Sequence, residues 1–309
     1  MFNSPAVAKA VAAEPQATTT LPAVPGRVLF SDGDALAYTC AGNEECSPGQ
    51  ARINLMNTLG AAKRASGAET HRLLLTARHS HKGYRYATAT VKEYQGQRSS
   101  GRRPQNWEYL RRILEQEPPL SSDLTSDAEA DDLFGKYSTM LGWKNVVIHT
   151  QDKDMRMVPG LHLTWDTMRL IEVPPETWEL VFNDLVYGRK WFWLQMLMGD
   201  NADFVPGLPK YVKPNGKEGL CGEATAMKLL AECQNNEHAF MVVGGLYKGY
   251  YGDAWDVQLL EQAVLLWMRN DERSRVFNVL DDGNPLGHVR ELFGNAQAII
   301  TQRIKSAVL

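Results

Sequence analysis

A chain of 309 residues with 44% apolar content is long enough to bury a substantial core and fits one or two domains at roughly 150 residues each. No stretch approaches the ~18 uninterrupted apolar residues of a membrane span, and the N-terminus lacks the basic and apolar regions of a secretory signal, so a soluble cytoplasmic protein is expected. Cys40, Cys46, Cys221 and Cys233 have neither zinc-finger spacing nor the density of a disulfide scaffold, and read as reduced packing thiols.

The net charge of −3 hides an asymmetry. Residues 60 to 112 hold 12 Lys and Arg against 3 Asp and Glu, a local balance of +9, which leaves −12 for the remainder. A block of one sign often forms only a solvated face. Beside an acidic site it would instead form a track for a polyanion.

Residues 1 to 26 are rich in Ala, Pro and Thr without apolar periodicity, and are expected to form a flexible tail. Val28-Leu29-Phe30, Leu73-Leu74-Leu75, Val146-Val147-Ile148 and Leu161-His162-Leu163 are short apolar runs ending in polar residues, the mark of buried parallel strands. Segments 51 to 65, 105 to 117, 127 to 141 and 176 to 198 suit helices. The order predicts an α/β fold, with a central, mostly parallel sheet flanked by helices. Ligands of such sheets bind beyond the strand C-termini.

Four carboxylate clusters fall beside apolar segments: Asp32-Gly33-Asp34, Glu129-Ala130-Asp131-Asp132, Asp152-Lys153-Asp154 and Asp200-Asn201-Ala202-Asp203. Asp32 and Asp152 follow strands at equivalent edges of the sheet. Ser126-Asp127-Ala128-Glu129 matches a capping box and places Glu129 to Asp132 in a first helical turn. Glu129 and Asp34 each have a plainer reading as helix caps. Gathered at one spot, the four clusters would repel one another unless hard divalent cations such as Mg²⁺ or Mn²⁺ bound them, which points to chemistry on phosphates. Trp191 to Met198 form an aromatic and Met-rich stripe expected to be core, anchoring the loop with Asp200 and Asp203. Further on, Gly219 and Gly222 precede a helix and would expose backbone amides to a phosphate. Residues 236 to 309 carry no recognised chemical motif.

From about residue 27 to 232 these clusters, in order and spacing, resemble the 5′→3′ exonuclease and flap endonuclease superfamily, particularly its phage members. The carrying residues are Asp32-Gly33-Asp34, Glu129-Ala130-Asp131-Asp132, Thr150-Gln151-Asp152-Lys153-Asp154 and Gly199-Asp200-Asn201-Ala202-Asp203-Phe204-Val205-Pro206-Gly207. The resemblance implies a PIN-like nuclease core over 27–198, with a basic arch at about 78–112. A helical DNA-binding region over 199–309 would follow, holding a helix-hairpin element at about 205–232. It implies two ions, Mg²⁺ or Mn²⁺, the first held by Asp32, Glu129, Asp131 and Asp132 and the second by Asp152, Asp154, Asp200 and Asp203. Ions roughly 4 Å apart would activate water and stabilise the leaving oxygen of a phosphodiester, giving 5′-phosphate products. Gly219, Gly222 and Thr225 would grip duplex backbone, often with a monovalent cation.

Tyr94-Gln95-Gly96-Gln97-Arg98 resembles the family's Tyr-Lys-Gly-Asn-Arg stretch near the arch, with Gln95 in place of the lysine. Arg85, Lys92, Arg98, Arg102 and Arg103 are candidate phosphate contacts, and Tyr94 or Tyr86 a base-stacking or packing residue. Arg98 is the preferred contact to transition-state charge. An Asp that the family carries after its second strand is missing from Thr76-Ala77-Arg78; His79 and His81 follow as substitute ligands or surface residues. Lys210 to Glu218 form an insertion. The expected substrate is DNA with free or flapped 5′ ends, or RNA in RNA–DNA hybrids, bound through phosphates rather than read by sequence. Two other classes stay open: a nuclease-like module that binds DNA but cuts poorly, and a phosphatase resembling haloacid dehalogenases, with Asp32 as nucleophile and Asp34 as acid and base.

Overall fold

The computed structural model describes residues 20–97, 101, 103–116, 120–212 and 216–308. Most of the expected tail, and both Arg98 and Arg102, lie outside them. The first strand, β1, begins at Val24 and runs to Asp32, so residues 24–26 belong to the fold rather than to the tail. Val24 N donates to Gly67 O at 2.8 Å, which ties its start to the neighbouring element.

The central sheet has six strands in the order β3-β2-β1-β4-β5-β6, with β2 at Ala68–Thr76, β3 at Ser122–Thr125, β4 at Val146–His149, β5 at Gly160–Leu163 and β6 at Leu170–Val173. All neighbours are parallel except β5 and β6. The apolar runs are continuous because both faces are covered, and alternate residues serve different layers. Phe30, Leu74, Val146 and Ile148 pack on one side with Leu133 and Phe134 of the helix Ala130–Leu141. Leu73 and Leu75 pack on the other with Leu36, Leu55 and Leu110, from helices Gly33–Thr39, Pro48–Ser66 and Trp107–Gln116. Leu29, Val147 and Leu161 extend that second layer.

Residues 176 to 198 are not one helix. Leu180–Phe182 and Leu185–Tyr187 form an antiparallel hairpin, and the helix is confined to Arg189–Met198. Asn183 and Asp184 both take positive φ, 50° and 61°, the conformation that a two-residue hairpin turn requires and that Asn and Asp tolerate. Trp191 to Leu197 are all buried, as expected for a core stripe. The C-terminal region is helical, with Glu223–Leu229, Asn236–Tyr251, Trp255–Leu266 and Gly294–Val308 packed on that core. The chain thus forms a PIN-like α/β core with a C-terminal helical region. No described helix is long and apolar enough to cross a membrane, and the four cysteines are free.

Candidate metal centre

Adjacent strand ends begin the site. Asp32 closes β1 and also caps the next helix, its Oδ1 accepting from Ala35 N at 2.9 Å while Thr150 Oγ1, just past β4, donates to Oδ2 at 2.8 Å. Asp34 faces away from the cap role, pairing with Arg111 and accepting from Thr76 N at 3.1 Å. At the end of β2, Thr76 Oγ1 accepts from Ala130 N at 2.9 Å, pinning the start of the acidic helix to the sheet edge. The capping box of that helix lies three residues later than its sequence suggests. Glu129 is the cap, and its N–H donates to Asp132 Oδ2 at 3.3 Å.

The third and fourth clusters are held by local hydrogen bonds. Asp152 accepts from Asp154 N at 2.8 Å and its own N–H donates to Thr150 Oγ1 at 3.0 Å. The loop after the Trp-rich helix is closed by paired bonds between Asp200 and Val205, each 2.8 Å. Its glycines are obligatory: Gly199 and Gly207 have φ of 72° and 64°, and a Cβ on Gly207 would lie 2.2 Å from Gly199 N. Asp154, Asp200 and Asp203 consequently offer oxygens that all lie within 4.8 Å of one another. Tyr94 OH bridges the two halves, its one proton shared between Glu129 Oε2 at 2.8 Å and Asp203 Oδ2 at 2.7 Å. Gln95 Nε2 also bridges them, at 2.8 Å to Asp203 Oδ1 and 3.2 Å to Glu129 Oε1.

Electrostatics follow from this crowding. Burial, then the charge of Asp34, raises Asp32 to about 7. Burial and the neighbouring Asp152, Asp32, Glu129 and Asp203 push Asp131 well above the ordinary carboxylate range. Asp154 is raised in the same way by burial and by Asp152 and Asp200, and burial with Asp203 raises Glu129 against the pull of Arg85. Asp200 is the exception: burial opposes its ionisation, but Lys153 Nζ at 2.7 Å holds it below the ordinary value. No described donor or cation bonds Asp131. A cluster of raised carboxylates, one of them without a bonding partner among the described residues, is a donor set that suits hard cations with oxygen ligands.

Asp132 departs from the expected set. Its carboxylate is buried against Arg85, whose Nη1 and Nη2 donate to Oδ2 and Oδ1 at 2.7 and 2.8 Å, and it also accepts from Arg269 N at 3.1 Å. Burial opposes its ionisation, but Arg85 holds it down to about 2. The pair satisfies both groups, so Asp132 supports the site instead of facing it. Arg85 is fully buried and therefore has no surface to offer a phosphate.

The rest of the basic block is partly consumed internally. Arg72 pairs with Asp123, Arg78 with Glu108 and Arg111 with Asp34 and Glu115. Lys92 stays exposed over Phe204 at 4.7 Å, and Arg103 over Trp107 at 4.2 Å. Tyr94 is buried with its hydroxyl among the acids and presents no stacking face, whereas Tyr86, edge-on to it at 5.7 Å, is exposed. His81 stacks on Tyr84 and reaches Asp127 at 3.3 Å, and His79 is exposed; neither joins the acidic cluster. Gly219 ends a short ribbon, Gly222 caps Glu223–Leu229, and Thr225 lies in that helix's first turn.

Sequence reasoning missed Lys82, Lys153 and Gln195 as parts of the centre. Gln195 Nε2 donates to Asp154 Oδ1 at 2.6 Å; its signal was a lone amide in the otherwise apolar stretch from Trp191 to Met198. Lys153 stands between two aspartates in sequence and reaches Asp154 and Asp200 in space. Beside Asp152 opens a cavity of about 500 Å³ lined in part by Lys153, Arg156, Trp165 and Tyr187.

No family model matches the sequence, and no curated protein matches it. Solved structures do. The phage T5 D15 protein co-crystallized with metal ions aligns at a TM-score of 0.56 and 14% identity, covering 91% of this chain and 98% of that one. A phage T5 D15 flap endonuclease variant, in a pseudo-enzyme-product complex with DNA and metal ions, gives 0.54 and 13%, covering 90% and 99%. The T5 5′-exonuclease with bound zinc gives 0.56 and 15%, covering 91% and 98%. The chain has the 5′-nuclease fold of these phage T5 structures.

Proposed function

We propose that this protein is a divalent-metal-dependent 5′→3′ exonuclease and flap endonuclease that hydrolyses phosphodiester bonds of DNA, or of RNA in RNA–DNA hybrids, and leaves 5′-phosphate products. The observation that carries this reading is the convergence of Asp32, Glu129, Asp131, Asp152, Asp154, Asp200 and Asp203 at one edge of the sheet, in a chain with the fold of nucleases solved with metal ions and DNA. Asp32, Glu129 and Asp131 would hold one ion, with Asp152 beside them, and Asp154, Asp200 and Asp203 the other. Mg²⁺ or Mn²⁺ bound there would supply a nucleophilic water and charge stabilisation at phosphorus.

The protein's own groups position these ligands. Thr150 and Ala35 fix Asp32, Gln195 fixes Asp154, and the Tyr94–Gln95 pair keeps the Asp203 loop against Glu129. Such supporting contacts typically carry 10- to 100-fold in metal affinity or activity. Lys92, Arg98, Arg102 and Arg103 would draw a 5′ strand toward the acids, with Tyr86 as a stacking face. Gly219, Gly222 and Thr225 would hold the duplex backbone, with a monovalent cation. Contacts made mostly to phosphates predict binding that weakens steeply with salt. Phage replication or DNA degradation is the setting that fits.

The test is digestion of 5′-labelled and 3′-labelled duplex and flapped DNA in Mg²⁺ or Mn²⁺ by the wild type and by Asp152→Ala. Release of 5′-terminal products by the wild type, with at least about 100-fold loss in the variant, is the expected result. Salt-sensitive DNA binding without cleavage in either metal would instead favour a binding module, which Gln95 and the missing Asp after β2 would then explain.

A further inference from the structure

We propose that Lys82 supplies the ammonium that contacts the scissile phosphate, a role that rests on the nuclease reading above. In sequence Lys82 is one of many basic residues and belongs to none of the motifs. In space its Nζ lies 3.4 Å from Glu129 Oε1 and donates to Gln95 Oε1. Gln95 in turn bonds Asp203 and Glu129. The residue standing where the resemblance expects a lysine is therefore the one that receives a lysine's ammonium from elsewhere in the chain.

Among the described residues, the other cations near the acids are committed. Arg85 is fully buried in its two-bond pair with Asp132. Lys153, although 35% of its side chain is exposed, is bound between Asp154 and Asp200 at 3.2 and 2.7 Å. Lys82 keeps 20% of its side chain exposed, and its nearest carboxylate stands at salt-bridge rather than tight hydrogen-bond distance. It can therefore meet an incoming anion without breaking a buried pair. Its stem also passes Tyr86, with Nζ 5.6 Å from the ring centroid, so the ammonium sits between an exposed aromatic and the carboxylates.

The backbone that aims Lys82 is held in an uncommon conformation. Lys82, Gly83 and Tyr84 have successive φ of 49°, 62° and 64°, a run that non-glycine residues adopt only where surrounding structure imposes it. Two supports impose it. Ser80 Oγ accepts from Lys82 N at 3.0 Å and donates to Ala128 O at 2.7 Å, one residue before Glu129. From the other side, Arg269 Nη2 donates to Gly83 O at 2.6 Å. The lysine is thus indexed to the helix that carries Glu129 and Asp131.

Chemically, a phosphodiester entering a nest of carboxylates brings more negative charge to a negative place. An ammonium at the rim offsets that repulsion and stabilises the charge that grows on the non-bridging oxygens in the transition state. It neither gains nor loses a bond to phosphorus.

The experiment compares wild type, Lys82→Ala, Lys82→Arg and the double variant Lys82→Ala/Gln95→Lys. It reads single-turnover cleavage of a flapped duplex in Mg²⁺, affinity for the same DNA in EDTA, and melting temperature. Lys82→Ala should slow cleavage about 100-fold or more, with DNA affinity changed by less than about 3-fold and an unchanged melt. Lys82→Arg should retain most of the rate, and Gln95→Lys should restore at least about a tenth of it in the Lys82→Ala background. Cleavage by Lys82→Ala within about 3-fold of wild type overturns the assignment while leaving the nuclease reading intact. A lowered melt with no rescue by Gln95→Lys also overturns it, as a structural role would give that result. A wild type inert in both Mg²⁺ and Mn²⁺ removes the nuclease reading and this role together.

Discussion

At Asp132 a carboxylate that looks like a metal ligand in sequence serves as the counter-ion of a buried arginine. The motif Glu129-Ala130-Asp131-Asp132 names four consecutive positions, but a helix spreads consecutive side chains over about 100° steps, so they cannot all face one point. Asp131 meets the other acids, whereas Asp132 accepts from Arg85, whose Nη2 also donates to Trp267 O, and from the backbone N–H of Arg269. Spacing in a motif identifies the set; only packing decides which member turns inward. Because the folded pKa of Asp132 is about 2, below its ordinary 3.8, the stability it contributes is complete above 3.8 and lost as pH falls toward 2. At neutral pH the pair is fully formed. Arg85→Ala leaves the buried Asp132 carboxylate without its cation and Glu129 with Lys82 alone, and should cost about 3–5 kcal/mol in urea unfolding. Replacing both partners with apolar groups, Arg85→Met with Asp132→Leu, should recover much of that loss. A cost below about 1 kcal/mol for Arg85→Ala would mean that the pair is far better solvated than its geometry implies.

Elements differ in how plainly they announce themselves. The four strand runs at Val28, Leu73, Val146 and Leu161 were legible because burial on both faces leaves an uninterrupted apolar stretch. The Leu180 to Tyr187 hairpin was not, since three-residue strands beside an apolar helix are swallowed by the helical pattern, and the Asn183-Asp184 turn was the one cue. The edge strand Ser122–Thr125 has a single apolar residue, Leu124, and does not stand out. The chain's last quarter showed no motif because its role is to brace other residues. Leu265 O and Trp267 O accept from Arg85 at 3.3 and 3.1 Å, and Arg269 holds Gly83 O, pairings across 180 to 186 residues that no local pattern encodes. This brace predicts the effect of Gly83→Ala. The position has φ of 62°, and a Cβ would lie 1.9 Å from Arg269 Nη1, so the loop or the arginine must move. The substitution should cost about 1–3 kcal/mol and slow cleavage by displacing Lys82. Thermal melts and single-turnover rates check it, and an unchanged melt would show that the brace is slack.

For the whole molecule, the acidic centre sets a conflict between folding and charge that a cation resolves. That four clusters converge was legible from their places at strand ends and helix starts, whereas the inward or outward turn of each member and the shares taken by Lys82, Lys153 and Arg85 were not, since a basic residue looks alike whether it faces solvent or acids. The conflict has a pH signature. A carboxyl whose folded pKa is raised contributes stability that is complete below its unfolded value and disappears as pH climbs through the folded one. For Asp32 that window runs from 3.8 to about 7, and Asp131 and Asp154 extend it upward. Histidines pull the other way. His71, His149 and His162, depressed by burial to about 4, 3 and 4, contribute stability above their ordinary value of 6.5 that is lost as pH falls through the folded values. Their hydrogen-bond partners are Ser31 and Val158 O rather than the acids, so their effect cancels between curves measured in EDTA and in Mg²⁺. The difference isolates the centre. The gain in melting temperature on adding Mg²⁺ should be small at about pH 5.5, where the ion competes with protons, and grow through about pH 8. Asp131→Asn removes one repelling charge and one ligand, so it should raise the melt in EDTA at about pH 8 and shrink the Mg²⁺ gain. A gain independent of pH, or a variant less stable than wild type in EDTA, would mean that the carboxylates do not repel one another in the metal-free fold.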